Sequence, residues 1–327
     1  MPAFAYRHIK DLYPTFWSMS GEMAKVITDL VRTEATVASE QEKETSALSA
    51  IIPMSGWLSR ATLDIIGVAG MGQNFNALHD PNTELYTTYK NVFEPSRQAR
   101  MMQLLSIFVP MQLLRILPVK RNDEMASAAA SIRSVSRKLI QARQQKMSQK
   151  EARVDKDILS VALESGGFSE DNLVDQLMTF LAAGHETTAS SMTWALLALC
   201  QHPEMQARLR AEIRANLPSI EDGSKPMSAE IMDRLPYLHA VCNEVLRVHS
   251  PVPLTRREAA KDTTILGQFV PKGTDIILAP AAVNTSKELW GEDALEFNPE
   301  RWMGPGKANS GGASSNYAQL TFLHGKS

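Results

Sequence analysis

Cysteine is nearly absent from this chain, with Cys200 and Cys242 the only two in 327 residues. Two thiols, both in segments that read as helices, build neither a disulfide framework nor a zinc cluster, and each is expected as a small buried hydrophobe. An excess of charge of one sign is lacking too. The 34 basic and 36 acidic residues leave a net charge of -2, and the basic ones are scattered rather than striped, so no nucleic-acid footprint is present. No repeat of solenoid period and no long linker divide the chain, which leaves one large domain over 1–327. The opening "MPAFAYRHIKDLYP" is polar and has no apolar centre, unlike a secretory leader.

What is present is 44% hydrophobic and 21% charged residues, the mixture of a soluble globular protein with a large core. Apolar spacing predicts helices over 20–36 and 56–70, and "ASAAASIRSVSRKLIQARQQK" sets Ile132, Val135 and Leu139 on one amphipathic face. A charged connector, "MSQKEARVDKD", follows. Ser169 with Glu170 and Asp171 is a helix start, since the hydroxyl caps free amides and the acids complement the positive dipole end. A helix from 170 to 200 would run roughly 45 Å. Asp175, Gln176, His185 and Glu186 exclude it as a membrane span and make it a central core helix. "EMQARLRAEIRANL" and "LPYLHAVCNEVLRVHSP" are further helices, the second ending near Ser250-Pro251. "TTILGQFVPKGTDIILAP" then reads as short strands and turns, and "GPGKANSGGASSN" over 304–316 as a loop.

The long helix carries "LAAGHETTAS" over 181–190. Glycine in a helix interior costs about 1 kcal/mol relative to alanine, and a buried carboxylate needs a partner. Gly184 admits a close neighbour, ligand or backbone, while Glu186, Thr187 and Thr188 can hold water and move protons. The bland reading is a helix crossing built on small residues, with hydroxyls bonded to preceding carbonyls. A zinc-protease helix is excluded, because its second histidine would stand at Ala189. Downstream, Glu244 and Arg247 are neighbours on one helix face. In "FNPERW", Arg301 can offer its planar fork to a carboxylate and so join them.

Taken in order, AGHETT at 183–188, Glu244-x-x-Arg247, Pro299-Glu-Arg-Trp302 and Phe322-x-x-Gly325 resemble the cytochrome P-450 superfamily of haem-thiolate monooxygenases, in a fungal microsomal version. "PAFAYRHIKDLYP", "WLSRATLDIIGVAGMG", "FVPKGT" and "ELWGEDALEFNPERW" are similar to family segments as well. The resemblance implies a mainly α fold with a small β part. It implies haem b as cofactor, a small apolar substrate of secondary-metabolite type that is hydroxylated or epoxidised, and an NADPH-dependent reductase at the endoplasmic reticulum membrane. Ala183 and Gly184 would line the oxygen groove, and Glu186 and Thr187 would deliver protons. Glu244, Arg247 and Arg301 would form a buried triad. Arg257, with Arg256 its competitor, would meet a haem propionate, Val252, Pro253, Leu254 and Thr255 would edge the substrate pocket, and Phe322 and Gly325 would open the haem loop.

Within "TFLHGKS", Ser327 stands where the family has arginine, and the thiolate cysteine is expected two residues beyond it. By the same resemblance the membrane anchor, the early sheet and a helix bearing a propionate-binding tryptophan and arginine belong before Met1. The chain is therefore expected as an incomplete P-450 domain. Two functions follow: a haem-dependent monooxygenase, or a catalytically inactive, haem-free remnant that is at most a helical binding protein.

Overall fold

The computed structural model describes residues 6–41, 50–93, 101, 120–148, 157–220 and 227–324. They form two compact units, Met1–Glu186 and Thr187–Ser327.

The first unit is helical: α1 (Tyr6–Lys10), α2 (Tyr13–Gln41), α3 (Met54–Met71), α4 (Glu84–Phe93), α5 (Lys120–Ser148), α6 (Ile158–Glu164) and the first half of α7 (Glu170–Gln201). α2 packs on α3, α4 on α5, and α6 on both α3 and α5. On α7 the buried residues Leu173, Val174, Leu177 and Leu181 recur at one-face helical spacing, and they share a core with Leu63, Tyr89 and Ile140. Each such fully buried side chain contributes roughly 1.5–3 kcal/mol. Ser169 caps α7 as the sequence implied, its Oγ accepting from the amide of Asn172 at 3.3 Å. The expected helices are all present, the first longer at both ends. α1, α4 and α6 are additions to the sequence reading. The Thr, Tyr and Asn of α4 are weak helix formers, and burial of Leu85, Tyr86 and Tyr89 outweighs that preference. Asp157, expected as the end of a connector, caps α6 by accepting from the amide of Ser160 at 2.8 Å.

The second unit continues α7 and adds α8 (Pro203–Asn216), α9 (Ala229–Met232), α10 (Pro236–Val248), strands β1 (Thr255–Glu258), β2 (Thr263–Ile265), β3 (Gln268–Val270) and β4 (Asp275–Leu278), helices α11 (Pro280–Asn284) and α12 (Lys287–Trp290), and a 3-10 turn over Pro299–Trp302. Proline opens α8, α10, α11 and the 3-10 turn, where its missing N–H costs nothing. β1 pairs antiparallel with β4, Thr255 opposite Leu278, and β2 pairs with β3 in a hairpin between them. β1 lies upstream of the expected strands: "TRRE" has no apolar alternation, and its pairing comes from the backbone ladder and from Arg256, whose Nε donates to Asp275 Oδ1 at 2.6 Å. Residues 304–316 form turns, as their composition suggests. The fold is thus mainly α with a small β part. No helix among the described residues is long and apolar enough to cross a membrane.

Both cysteines are exposed, contrary to expectation. On α10 the buried face is taken by Tyr237, Ala240, Val241, Glu244 and Val245, and Cys242 falls about 100° away from Val241 around the helix. On α7 the core positions next to Cys200 are Ala198 and Leu199.

Candidate active site

The middle of α7 is where small and polar residues interrupt the apolar face. Gly184 is accounted for by packing: a Cβ built on it would come within 3.0 Å of Ile66 Cγ1 and 3.1 Å of Ile66 Cδ1, on α3. The close neighbour at this glycine is therefore another helix. Ala183, one position before, is exposed, and Thr187 is half-buried.

His185 is fully buried. Its Nδ1 lies 2.6 Å from the carbonyl oxygen of Leu181, which is only an acceptor, so Nδ1 carries a proton. The imidazole lies edge-on to the rings of Tyr89 and Phe93, with centroids 4.8 and 5.8 Å away. Its Nε2 has no partner of hydrogen-bond geometry among the described residues and sits 3.4 Å from Glu186 Oε1. Ser59, on α3, donates to the same oxygen at 2.8 Å. The nearby His185 imidazole holds the Glu186 carboxyl below the ordinary glutamate range; Ser59 adds to this effect and burial opposes it. Glu186 is thus an ionised carboxylate anchored by one oxygen, on a helix whose next residue is Thr187.

The second unit contains the triad that the resemblance proposed, and the structure brings all three members together. Glu244 and Arg247 are wholly buried. Glu244 Oε1 accepts from Arg247 Nη2 at 2.8 Å, Arg301 Nε at 2.9 Å and the Asn298 amide at 2.9 Å. Its Oε2 accepts from Arg247 Nε and Trp302 Nε1, each at 2.8 Å. Arg247 spends its remaining N–H groups on the carbonyls of Asn284, Ala294 and Glu296. Arg301 Nη2 reaches Asp293 Oδ2 at 2.9 Å, so two arginines balance two carboxylates. The stretch 284–302 is thereby tied to α10 by its backbone.

Arg257 lies on β1, exposed, with Nη1 donating to Thr255 Oγ1 and to the Arg256 carbonyl, both at 2.9 Å. No carboxylate among the described residues pairs with it, whereas its competitor Arg256 is engaged by Asp275. Val252, Pro253 and Leu254 are exposed before it, and Thr255 is half-buried. Phe322 is 82% exposed, while Gly325 lies outside the described residues. Residues 320–321 are fixed by buried Asn284, whose Oδ1 accepts from the Leu320 amide at 2.7 Å and whose Nδ2 donates to Thr321 Oγ1 at 2.9 Å.

Sequence reasoning missed Ser59, Asp293 and Asn284. Ser59 is 127 positions from its partner, and nothing local sets its hydroxyl apart from the other polar residues of its helix, Arg60, Thr62 and Asp64 among them. Asp293 could have been suspected from its place just before the Pro-Glu-Arg-Trp motif. Asn284 has no local signature.

The cytochrome P450 family model matches residues 7–325. Cytochrome P450 monooxygenase sphH of Aspergillus fumigatus is 48% identical over 327 residues, which takes in 99% of this chain and 58% of that protein. Cytochrome P450 monooxygenase FUM15 of Gibberella moniliformis is 44% identical over 364 residues, covering 99% of this chain and 60% of its own length. The crystal structure of the cytochrome P450 CYP102L1 superposes with a TM-score of 0.68 at 25% identity, over 92% of this chain and 63% of the other. The chain thus spans about three-fifths of the length of these relatives. Family model, relatives and fold agree with the four motifs, and this chain belongs to the cytochrome P450 family.

Proposed function

We propose that this chain is the larger part of a haem-dependent monooxygenase that hydroxylates or epoxidises small apolar molecules of secondary-metabolite type, with electrons from an NADPH-dependent reductase at the endoplasmic reticulum membrane. The observation that carries the reading is Glu186: an ionised carboxylate held through Oε1 by Ser59, with no hydrogen bond on Oε2 among the described residues, beside a threonine on the same helix. A carboxylate so held can accept a proton and pass it on through a neighbouring hydroxyl or water.

The fit to haem b is one-sided. Arg257, exposed and without a carboxylate partner among the described residues, suits a propionate, and Val252, Pro253 and Leu254 supply an apolar edge beside it. Ala183, Phe322 and Gly325 keep their assignment to the cofactor's surroundings by family resemblance. Gly184 shares that assignment, although its missing side chain is also what admits Ile66. The described residues bring no thiolate, because both cysteines stand on helices. When bound through a cysteine thiolate, haem supplies the activation of dioxygen. The protein's part is to hold protons at Glu186 Oε2 and Thr187 Oγ1 and to fix the 284–302 stretch through Glu244, Arg247 and Arg301. The second reading is a haem-free helical binding protein.

Haem content separates the two. Stoichiometric haem with a thiolate absorption signature supports the monooxygenase, and haem-free folded protein supports the second reading for this chain. In the haem-loaded enzyme, Thr187→Ala should release more peroxide per product formed; unchanged coupling removes Thr187 from proton delivery.

A further inference from the structure

Proton accounting at His185 leaves one place unfilled. Nδ1 must carry a hydrogen, since it faces the Leu181 carbonyl at 2.6 Å. Nε2 then either holds a second proton or offers a lone pair. A lone pair there would stand fully buried, with no partner, 3.4 Å from a carboxylate oxygen. A fully buried acceptor facing a second acceptor on a half-buried carboxylate is the costly arrangement. A proton between them satisfies both atoms and cancels the carboxylate's charge. Nothing else among the described residues does so: the imidazole is otherwise packed against the Tyr89 and Phe93 rings, and the Tyr89 hydroxyl is itself buried without a partner there. Arg60, next to Ser59 on α3, lies over the Trp57 ring, 3.7 Å from its centroid. No ion pair joins Arg60 to Glu186 among the described residues.

We propose that His185 and Glu186 form a proton-sharing pair in which Nε2 and Oε1 hold one proton, Ser59 marks the same oxygen by its own hydrogen bond, and Oε2 is left as the transferring atom. His185 is then a positioning residue. It acts through Glu186, fixing which carboxylate oxygen is tied down and supplying the proton that this oxygen shares. No atoms are gained or lost: the proton passes between Nε2 and Oε1, which lie 3.4 Å apart. That the pair serves oxygen chemistry rests on the monooxygenase reading; that it shares a proton does not.

The test is a nitrogen-15 spectrum of the folded chain, labelled at its seven histidines. The His185 ring is assigned by its loss in His185→Gln or, if that variant does not fold, by its contacts with Tyr89 and Phe93. The expected result is an imidazole with protons on both nitrogens at neutral pH. In the near-isosteric variant Glu186→Gln, Nε2 should move to the shift of an unprotonated ring nitrogen. Ser59→Ala should leave Nε2 protonated, because its hydrogen bond is to the acid and not to the ring. An unprotonated Nε2 in the parent chain, or one indifferent to Glu186→Gln, overturns the pair. A second readout addresses the oxygen reading alone: a confirmed pair combined with unchanged peroxide release in haem-loaded Glu186→Gln and Thr187→Ala would keep the proton pair and discard its catalytic use.

Discussion

Arg247 and Glu244 face each other one helical turn apart, joined by two parallel 2.8 Å hydrogen bonds, and every N–H of Arg247 is used. A buried ion pair is balanced only while both partners stay, because either charge left alone has no water to turn to. Glu244→Ala strands Arg247 beside a row of carbonyls, leaves Arg301 with Asp293 alone, and should cost about 3–5 kcal/mol of unfolding free energy. Arg247→Lys should also destabilise strongly, since three donors on a point charge cannot serve five acceptors laid out for a planar fork. Denaturant unfolding of both variants checks this. A loss below about 1 kcal/mol, the level of a surface ion pair, would overturn the account.

The pairing of Glu244 with Arg247 was legible in the sequence because three-residue spacing on a helix dictates adjacency. Arg301 was legible only as a fork able to join them, since nothing in a periodic pattern carries contact across 57 positions; the family resemblance singled it out as the third member. The long helix and its Ser169 cap were readable from spacing and chemistry. By contrast β1, four polar residues in a row, gains its strand form from a partner 20 residues on, and Ser59 gains its role from a helix it meets only in the fold. The centre of α7 yielded both of its readings. Gly184 proved to be a packing glycine against Ile66, while Glu186, two residues later, is a held carboxylate.

Gly184→Ala gains helix propensity worth about 1 kcal/mol and loses more by forcing a methyl against Ile66 at 3.0–3.1 Å, where overpacking costs about 1–3 kcal/mol. A net destabilisation is expected. Ile66→Ala, which removes both atoms in the way, should erase the overpacking, so that Gly184→Ala becomes neutral or favourable in that background. A double-mutant cycle measures the coupling, and additive effects would separate Gly184 from Ile66.

The β2–β3 hairpin turns on Leu266 and Gly267, with φ of 49° and 82°, between the paired residues Ile265 and Gln268. Both central residues have the left-handed sign that two-residue hairpins favour. Glycine adopts it freely, but leucine pays about 1–2 kcal/mol and stands wholly exposed, with no packing in return. Leu266→Asn should therefore strengthen the hairpin, slowing amide exchange at Val270 and Ile265 several-fold while leaving α10 unchanged. Faster exchange would show that leucine is held there by contacts worth more than its strain.

Two carboxylates of the first unit should respond to pH in opposite directions. Asp64 is buried at 1% exposure, with Oδ1 and Oδ2 accepting the amides of Ala77 and Leu78 at 2.9 and 2.8 Å. Burial nevertheless holds its carboxyl above the ordinary aspartate range; Glu22 adds to this, while the two amides and His79 oppose it. Because the folded chain keeps that proton longer than the unfolded chain, its contribution to stability is complete below the ordinary aspartate value and is lost as pH rises through the raised one. Glu186 lies on the other side. Its carboxyl is lowered, chiefly by His185, so its contribution is present above the ordinary glutamate value and is lost as pH falls through the lowered one. Unfolding free energies measured across the acid range should show the two slopes separately. Asp64→Asn should remove a decline with rising pH, at the added cost of setting an amide N–H against one backbone donor, and Glu186→Gln should remove a decline with falling pH. Slopes of the same sign in the two variants would mean that burial, not the His185 contact, governs both groups.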